Sequence, residues 1–175
     1  MDKALAIIEP LIAHQKINDI NRELFYAKAV CFDMTANHID ALVIMAELKD
    51  KYPFHIHYLK SFNLILDNIR VAAQELVEVS PDDKLIVSYF EILSEYDHCN
   101  LDIAQKAAFI YLKTGEVNKA QNIMSMTLKL MPNNPFYLKE GLKFYKQIDQ
   151  TMEVQKIEAH LKLLQETFSY DIGYN

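Results

Sequence analysis

The stretch that decides the fold is residues 101–134, LDIAQKAAFIYLKTGEVNKAQNIMSMTLKLMPNN. Its small residues Ala108 and Ala120 allow two antiparallel helices to approach closely, and Tyr111 fills the space between them. Gly115 permits a tight turn between the helices, and Pro132 ends the second one. Because one helical pair cannot bury its own apolar faces, neighbouring pairs must stack on it.

The same spacing returns in two other parts of the chain. At a period of about 34 residues, the stretch that starts at Arg22 holds the matching residues Phe25, Ala29, Phe32, Ala41, Met45, Leu48 and Pro53. Ala36 stands there in place of the turn glycine. The stretch from Pro135 to Phe168 keeps Leu138, Gly141, Leu142 and Tyr145. It has Val154 and Glu158 where Ala and an aromatic residue are usual, so it is interpreted as a terminal, capping pair.

These stretches resemble the tetratricopeptide repeat. The resemblance implies an all-α, helical-repeat solenoid of about ten antiparallel helices in a single domain, residues 1–175. Its expected parts are an N-terminal half-repeat (3–16), a repeat (22–55), a three-helix insertion region (56–100), a repeat (101–134), a capping repeat (135–168) and a flexible tail (169–175).

The spacing of the repeats predicts a phase break near the middle of the chain. The starts at positions 22 and 101 differ by 79, which is two periods of 34 with 11 left over. We expect three helices there, over 54–66, 69–79 and 82–96, where a repeat has two. Asp67 and Asn68 mark the first boundary, and Ser80 is the expected N-cap of the third helix, with Pro81 at its first position.

The N-terminal residues Ala4–Ile12 have the spacing of the second helix of a repeat whose first helix is missing. Pro10 is expected to bend or delay this helix. Either the segment is a native N-terminal cap, or the chain was excised from a longer protein. The sequence leaves both interpretations open.

The composition excludes several other classes of protein. With 51% apolar and 24% charged residues, the chain has the profile of a soluble globular protein. Its 3 Gly and 5 Pro are too few for the many turns of an all-β fold. No apolar run approaches the roughly 18 residues of a membrane span, and the acidic N-terminus does not match a secretory signal. We therefore expect a cytoplasmic protein in which Cys31 and Cys99 are reduced.

The charge is negative overall and unevenly distributed. A net charge of −6 argues against a direct nucleic-acid partner, because such binding needs clustered Lys and Arg. Eight acids stand against Lys84 alone over residues 75–102, whereas nine lysines stand against five acids over residues 106–162. Either these are solvated helix faces, or a dipolar surface orients a charged partner.

No motif for catalysis or metal binding is found. His55 and His57 would point about 200° apart on a helix, and no Cys or acid cluster completes a metal site. His98 and Cys99 are adjacent in one expected turn, where neighbouring side chains rarely face each other as a catalytic dyad does. Phosphate-binding glycine loops, nucleophile elbows and zinc-protease helices do not occur. The sequence thus predicts no enzymatic activity, no metal and no cofactor.

In tetratricopeptide proteins the first helix of each repeat lines a concave groove, and the resemblance implies that the matching positions here touch a partner. The candidate groove residues are Tyr26, Val30, Lys60, Gln105, Phe109, Phe136, Lys139, Lys143 and Lys146. Lys106 and Glu140 occupy further positions of the same kind. The aromatic members are the expected anchors, and Lys139, Lys143 and Lys146 share one helix face suited to acidic partner residues. The family's clamp for a C-terminal carboxylate is not reproduced.

Two functions remain open from the sequence. The first is a non-catalytic adaptor or chaperone-like module that binds a segment of another protein, with an acidic segment suiting the lysines. The second is a sensing or oligomerisation domain at the C-terminal end of a larger bacterial-type transcriptional regulator. A membrane or a direct nucleic-acid partner is not expected, and a homodimer stays open. At the C-terminus, alternating residues predict either a groove-docking extended peptide or a frayed end: Phe168, Tyr170, Ile172 and Tyr174.

Overall fold

A computed structural model of the chain describes residues 2–96 and 100–171, and this part consists of helices and loops without strands. Its nine helices are α1 (Asp2–Ile12), α2 (Arg22–Met34), α3 (His38–Lys51), α4 (Ile56–Val79), α5 (Leu85–Glu95), α6 (Leu101–Lys113), α7 (Val117–Leu130), α8 (Pro135–Gln147) and α9 (Thr151–Asp171). The prediction of an all-α fold is confirmed. None of the helices in these ranges is long and apolar enough to cross a lipid bilayer.

The chain divides into two compact units. The first comprises Met1–Glu75 with Ile92–His98, and the second comprises Leu76–Glu91 with Cys99–Asn175. Each has its own buried apolar residues. Those of the first unit include Met45, Leu48, Tyr58, Leu66 and Ile69, and those of the second include Ile86, Ile103, Met124 and Phe144.

A helical hairpin with the same bounds occurs in both units. Helices α2 and α3 start at positions 22 and 38, and α6 and α7 start at positions 101 and 117. The start of α6 therefore follows that of α2 by 79 residues, and the start of α7 follows that of α3 by the same number. The lengths are also equal, at 13 and 14 residues in each hairpin. Helices α8 and α9 start at positions 135 and 151, one repeat period after α6 and α7.

Small residues stand where the helices of each hairpin meet. Helix α2 packs on α3, and α6 packs on α7. Three matching pairs of residues are fully buried: Ala29 with Ala108, Ala41 with Ala120, and Met45 with Met124. Since an alanine has no side chain beyond Cβ, the helix axes can approach closely, and the methionine fills the remaining space.

The three hairpin turns share one backbone conformation. Ala36, Gly115 and Asp149 all have positive φ, at 60°, 86° and 55°. In each turn the next residue donates its N–H to the carbonyl of an aromatic residue near the end of the preceding helix, at 2.9 to 3.0 Å. The acceptors are Phe32, Tyr111 and Tyr145. The turn is therefore repeated in geometry although only one of its three residues is glycine.

The expected helix boundary at Asp67 and Asn68 is wrong, because α4 continues through both residues for 24 residues in all. Asp67 forms an ion pair with Arg70 at 2.9 Å, and the Asn68 amide donates to both carboxylate oxygens of Asp33. With these partners neither side chain competes with the helix backbone for hydrogen bonds. The described residues hence form nine helices, not ten, and the region 54–96 contains two helices instead of three.

The extra length predicted from the phase break lies in α4 itself. Helices α4 and α8 start at positions 56 and 135, which again differ by 79. Helix α8 has 13 residues and α4 has 24, so the difference in length is 11. Helix α5 also starts later than expected, at Leu85, and Asp83 Oδ1 accepts a hydrogen bond from the N–H of Leu85 at 2.9 Å. The Asp83 side chain therefore bonds to the first residue of α5, whereas the expected N-cap, Ser80, lies five residues before that residue.

At the N-terminus, α1 starts at Asp2 and contains Pro10 near its end, so the proline does not delay the helix. Helix α9 continues through Asp171 at the other end of the chain. The expectations for His98 and Cys99, for residues 172–175 and for the side chains of Phe168 and Tyr170 lie outside the described residues. The other cysteine, Cys31, is a half-buried free thiol.

Candidate partner-binding cleft

In the first unit, the predicted groove residues differ in their contacts with neighbouring side chains and in their exposure. Tyr26 is half-buried, its hydroxyl oxygen lies 3.1 Å from Ser61 Oγ, and its ring centroid lies 5.4 Å from that of Tyr58. Val30 is half-buried as well. Lys60 is exposed and forms no hydrogen bond or ion pair within the described ranges. Tyr26 thus joins α2 to α4, and Lys60 is free to meet a partner.

Each unit contains a hydrogen bond from a tyrosine to a carboxylate on another of its own helices, at matching positions of the two units. Tyr58 on α4 donates its hydroxyl to Glu23 on α2 at 2.8 Å. Tyr137 on α8 donates in the same way to Asp102 on α6 at 2.9 Å, and both bonds span 35 residues. Burial, strengthened by these bonds, raises the pKa of both tyrosines to about 12. The hydroxyls therefore stay protonated and serve as donors at neutral pH.

A cleft of about 240 Å³ lies within the second unit, against α6, α8 and the loop before α5. Its lining residues are Pro81, Asp82, Lys106, Phe109, Lys113, Glu140, Lys143 and Gln147. Those on α6 follow a spacing of three and four, and so do those on α8, so each helix presents one face to the cleft. Four of the predicted groove positions meet here, on two helices: Lys106, Phe109, Glu140 and Lys143.

The cleft carries one uncompensated positive charge. The Lys113 ammonium forms an ion pair with Asp82, and the Lys143 ammonium forms one with Glu140. Lys106 is half-buried and has neither a hydrogen bond nor an ion pair in the part of the chain that the structure describes. An ammonium group without a partner can form strong, charge-assisted hydrogen bonds with a carboxylate.

Phe109 rests on a stack of buried rings. Its ring centroid lies 5.7 Å from that of Phe144, with the ring planes at 74°. Phe144 is fully buried and packs edge-on against Tyr145 at 5.3 Å. Because Phe109 is half-buried and also lines the cleft, it offers a supported apolar surface to an incoming side chain.

The other predicted groove residues of the second unit lie outside this cleft. Gln105 is only 3% exposed, and its amide nitrogen has no hydrogen-bond partner among the described residues. Phe136 is 56% exposed, with its ring edge-on to Tyr137. Lys146 forms an ion pair with Glu158 on α9 at 2.8 Å, and Lys139 is exposed. Of the three lysines in the predicted row, Lys143 lines this cleft and Lys139 and Lys146 do not.

Four lining residues escaped the sequence analysis: Pro81, Asp82, Lys113 and Gln147. Lys113 and Gln147 lie four residues after Phe109 and Lys143, so helical spacing alone could have added them. Pro81 and Asp82 belong to a loop far before this part of α6 in the sequence, and nothing local indicates that the loop reaches the cleft.

The histidine pair of the first unit has no further metal-ligating side chains grouped with it among the described residues. Within residues 2–96 and 100–171, no three His, Cys, Asp or Glu side chains are grouped so that they could hold a metal ion. His55 is half-buried, and its ring stacks on Tyr58 with centroids 3.8 Å apart and planes at 20°. The ring of His57 lies 5.9 Å from that of His55. His55 therefore packs against α4, whereas His57 is exposed.

Across its described residues the protein belongs to the class of all-α proteins in which a helical hairpin recurs along the chain. In comparisons with known proteins, no family model, curated protein or solved structure matches it. The chemistry of the cleft is therefore the basis on which its function is argued.

Proposed function

We propose that this chain is a non-catalytic module of the tetratricopeptide type that binds a segment of another protein in the cleft against α6 and α8. The repeated hairpin, with its matching bounds and turn conformation, supports the assignment to this type. The cleft supports the binding role, because a peptide segment can lie across two helices that each present one face to it.

The observation that carries the proposal is the pairing of Lys106 with Phe109 on one face of α6. Residues three apart on a helix have Cβ atoms about 5 to 6 Å apart. A partner that satisfies both must bring a carboxylate and a large apolar side chain close together. The ion pairs of Lys113 and Lys143 leave Lys106 as the free cation of the cleft among the described residues. The expected ligand is thus an acidic, partly apolar peptide.

Selection from a random peptide library displayed on phage tests the proposal. Bound peptides should be enriched in Asp or Glu next to Phe, Leu, Ile or Met. Selected peptides should then bind Phe109→Ala about tenfold or more weakly, because an aromatic anchor on a supported surface is a typical hot spot. They should bind Lys106→Gln about threefold to fivefold more weakly at low salt, with a smaller difference at high salt.

The chain offers a matched control for each variant. Phe136 is an exposed phenylalanine on α8 outside the cleft, and Lys139 is an exposed lysine on the same helix. Phe136→Ala and Lys139→Gln should leave peptide affinity unchanged. If the control variants weaken binding and the cleft variants do not, the peptide occupies another surface and the assignment of the cleft is wrong.

A further inference from the structure

Helix α4 exposes Lys60, Leu64, Val71 and Glu75 along one side within the first unit, and the exposed His57 precedes them on the same side. At about 100° per residue, these positions fall within an arc of about 60° around the helix. Leu64 and Val71 are 57% and 48% exposed, so two aliphatic side chains reach the surface on this side of the helix. We call Lys60, Leu64, Val71 and Glu75 together the α4 face.

The charged ends of the α4 face are free to meet a partner. Lys60 and Glu75 are both exposed, and in the described ranges neither forms a hydrogen bond or an ion pair. The charges near the middle of the helix are already compensated, because Asp67 pairs with Arg70 at 2.9 Å. Along the helix the face therefore presents a cation, two apolar side chains and an anion, in that order.

This order is self-complementary. Reversal of the helix about the point midway between residues 67 and 68 exchanges position 60 with 75 and position 64 with 71. When two copies of α4 lie antiparallel about a two-fold axis, each Lys60 meets the Glu75 of the other copy, and each Leu64 meets the other Val71. A two-fold interface requires this relation, in which residue i contacts j while j contacts i.

We propose that the α4 face binds the α4 face of a second copy of this chain, in an antiparallel and symmetric homodimer. Two ion pairs flank two aliphatic contacts in this arrangement, and no charged side chain of the face opposes a like charge. Four residues per copy cover less than the roughly 800 Å² per partner of a standard interface, so the dimer is weak, with a dissociation constant on the order of 100 μM. The dimer is independent of the cleft in the second unit.

Sedimentation equilibrium of the full chain, from about tenfold below to about tenfold above that constant, measures the association. Lys60→Glu and Glu75→Lys should each raise the dissociation constant about tenfold, because one reversal replaces two ion pairs by two like-charge contacts. An equimolar mixture of the two variants should associate about as well as the wild type, since the reversed charges of one copy then meet opposite charges on the other. The double variant should also regain wild-type association.

The exposed lysine Lys139 provides the matched control, and Lys139→Glu should associate like the wild type. Far-UV circular dichroism checks that each variant keeps its helix content. A wild type that stays monomeric over the whole range overturns the proposal, and so does a face that binds only a different protein. Single reversals that dimerise normally overturn it too, as does a mixture of the two reversals that fails to associate.

Discussion

The hairpins α2–α3 and α6–α7 reach the same geometry with different residues at the turn. Ala36 takes the left-handed conformation in the first, and Gly115 takes it in the second. That conformation costs alanine roughly 1 kcal/mol, whereas glycine adopts it freely. Ala29, Ala41 and Met45 of the first hairpin are matched by the equally buried Ala108, Ala120 and Met124 of the second, and this shared packing supports the strained alanine. Helix packing is thus sufficient to hold the turn in its left-handed conformation, and a glycine at this position is favourable but not required.

A second difference lies at the start of each hairpin, where both have asparagine. The Asn100 side chain accepts a hydrogen bond from the N–H of Ile103 at 2.8 Å and caps α6. Asn21 makes no such cap. Its buried amide instead donates to Gln15 Oε1 at 2.9 Å and to the Lys16 carbonyl at 3.1 Å, and so fastens the preceding loop to α2. The same residue type at matching positions therefore performs two different structural tasks.

The largest expected effect tests the equivalence of the two packing contacts. Met45→Ala and Met124→Ala should each lower the free energy of unfolding by about 2 to 5 kcal/mol, because both side chains are fully buried and truncation leaves a cavity. Urea unfolding followed by circular dichroism measures the loss. Met126, which is 44% exposed, provides the control, and Met126→Ala should change stability by less than about 0.5 kcal/mol. A large loss in only one hairpin would show that their packing differs.

The next effect should separate the two asparagines. Asn21→Asp removes both amide donors and places a carboxylate against two oxygen atoms, so it should destabilise the protein by about 2 kcal/mol. Asn100→Asp keeps the capping acceptor and adds a favourable charge at the helix N-terminus, so it should destabilise the protein less than Asn21→Asp does. Both variants are measured by urea unfolding at neutral pH. Equal losses would mean that the two side chains do the same job.

The tyrosine–carboxylate bonds should contribute equally in the two units. Tyr58→Phe and Tyr137→Phe should each cost about 1 to 1.5 kcal/mol at neutral pH, because each removes a hydrogen bond to a carboxylate. Thermal or urea unfolding measures the loss. If only one substitution has an effect, the bond in the other unit does not stabilise the fold.

These tyrosines also predict how stability depends on alkaline pH. Their pKa in the folded protein is raised from the ordinary 10.0 to about 12, so folding favours the protonated hydroxyl. The resulting stabilisation is complete below pH 10 and is lost as the pH rises from about 10 to about 12. The Phe variants should lose less stability over this interval than the wild type does. A wild-type unfolding midpoint that stays level from pH 10 to 12 would contradict the shift.

The smallest expected effect is at the turns. Ala36→Gly should stabilise the first hairpin by about 0.5 kcal/mol, because relief of strain exceeds the added flexibility of the unfolded chain. Gly115→Ala should destabilise the second by about 1 kcal/mol through backbone strain, since an added Cβ there meets no atom within 4 Å. In the double variant Ala36→Gly/Gly115→Ala the two stability changes should nearly cancel, because the sites are independent. Differential scanning calorimetry resolves such changes, and a destabilising Ala36→Gly would refute the strain at that turn.

The sequence sufficed where the signal was local. The spacing of small residues and the turn at Gly115 located hairpins α2–α3 and α6–α7, and the count between them located the extra length that α4 carries. It failed at Asp67 and Asn68, whose residue types are typical of turns. One of the partners that keep them helical, Asp33, lies 35 residues away from Asn68. A contact between residues so far apart in the sequence cannot be predicted from the local pattern of residue types.

The candidate cleft shows the same limit. Helical spacing placed Lys106, Phe109, Glu140 and Lys143 on faces that meet, because side-chain direction on a helix follows from position. Helical spacing did not show that Lys143 lines the cleft while Lys146 forms an ion pair elsewhere, because the partner of Lys146 is Glu158 on another helix, α9. The contribution of Pro81 and Asp82 likewise depends on where a loop folds, which the periodicity of the helices does not encode.

The length of α4 has a consequence for how such a chain can change in evolution. Eleven residues complete about three turns of an α-helix and rotate the chain by only about 20°. The positions of Tyr58 and Ile69 differ by eleven, as do those of Phe62 and Ala73, and all four side chains are buried. A duplication or deletion of this size therefore changes the helix by about 16 Å while every later side chain keeps its side. Insertions of five or nine residues would turn the apolar side toward water, so natural selection should admit length changes here only in steps close to whole turns, such as seven or eleven residues.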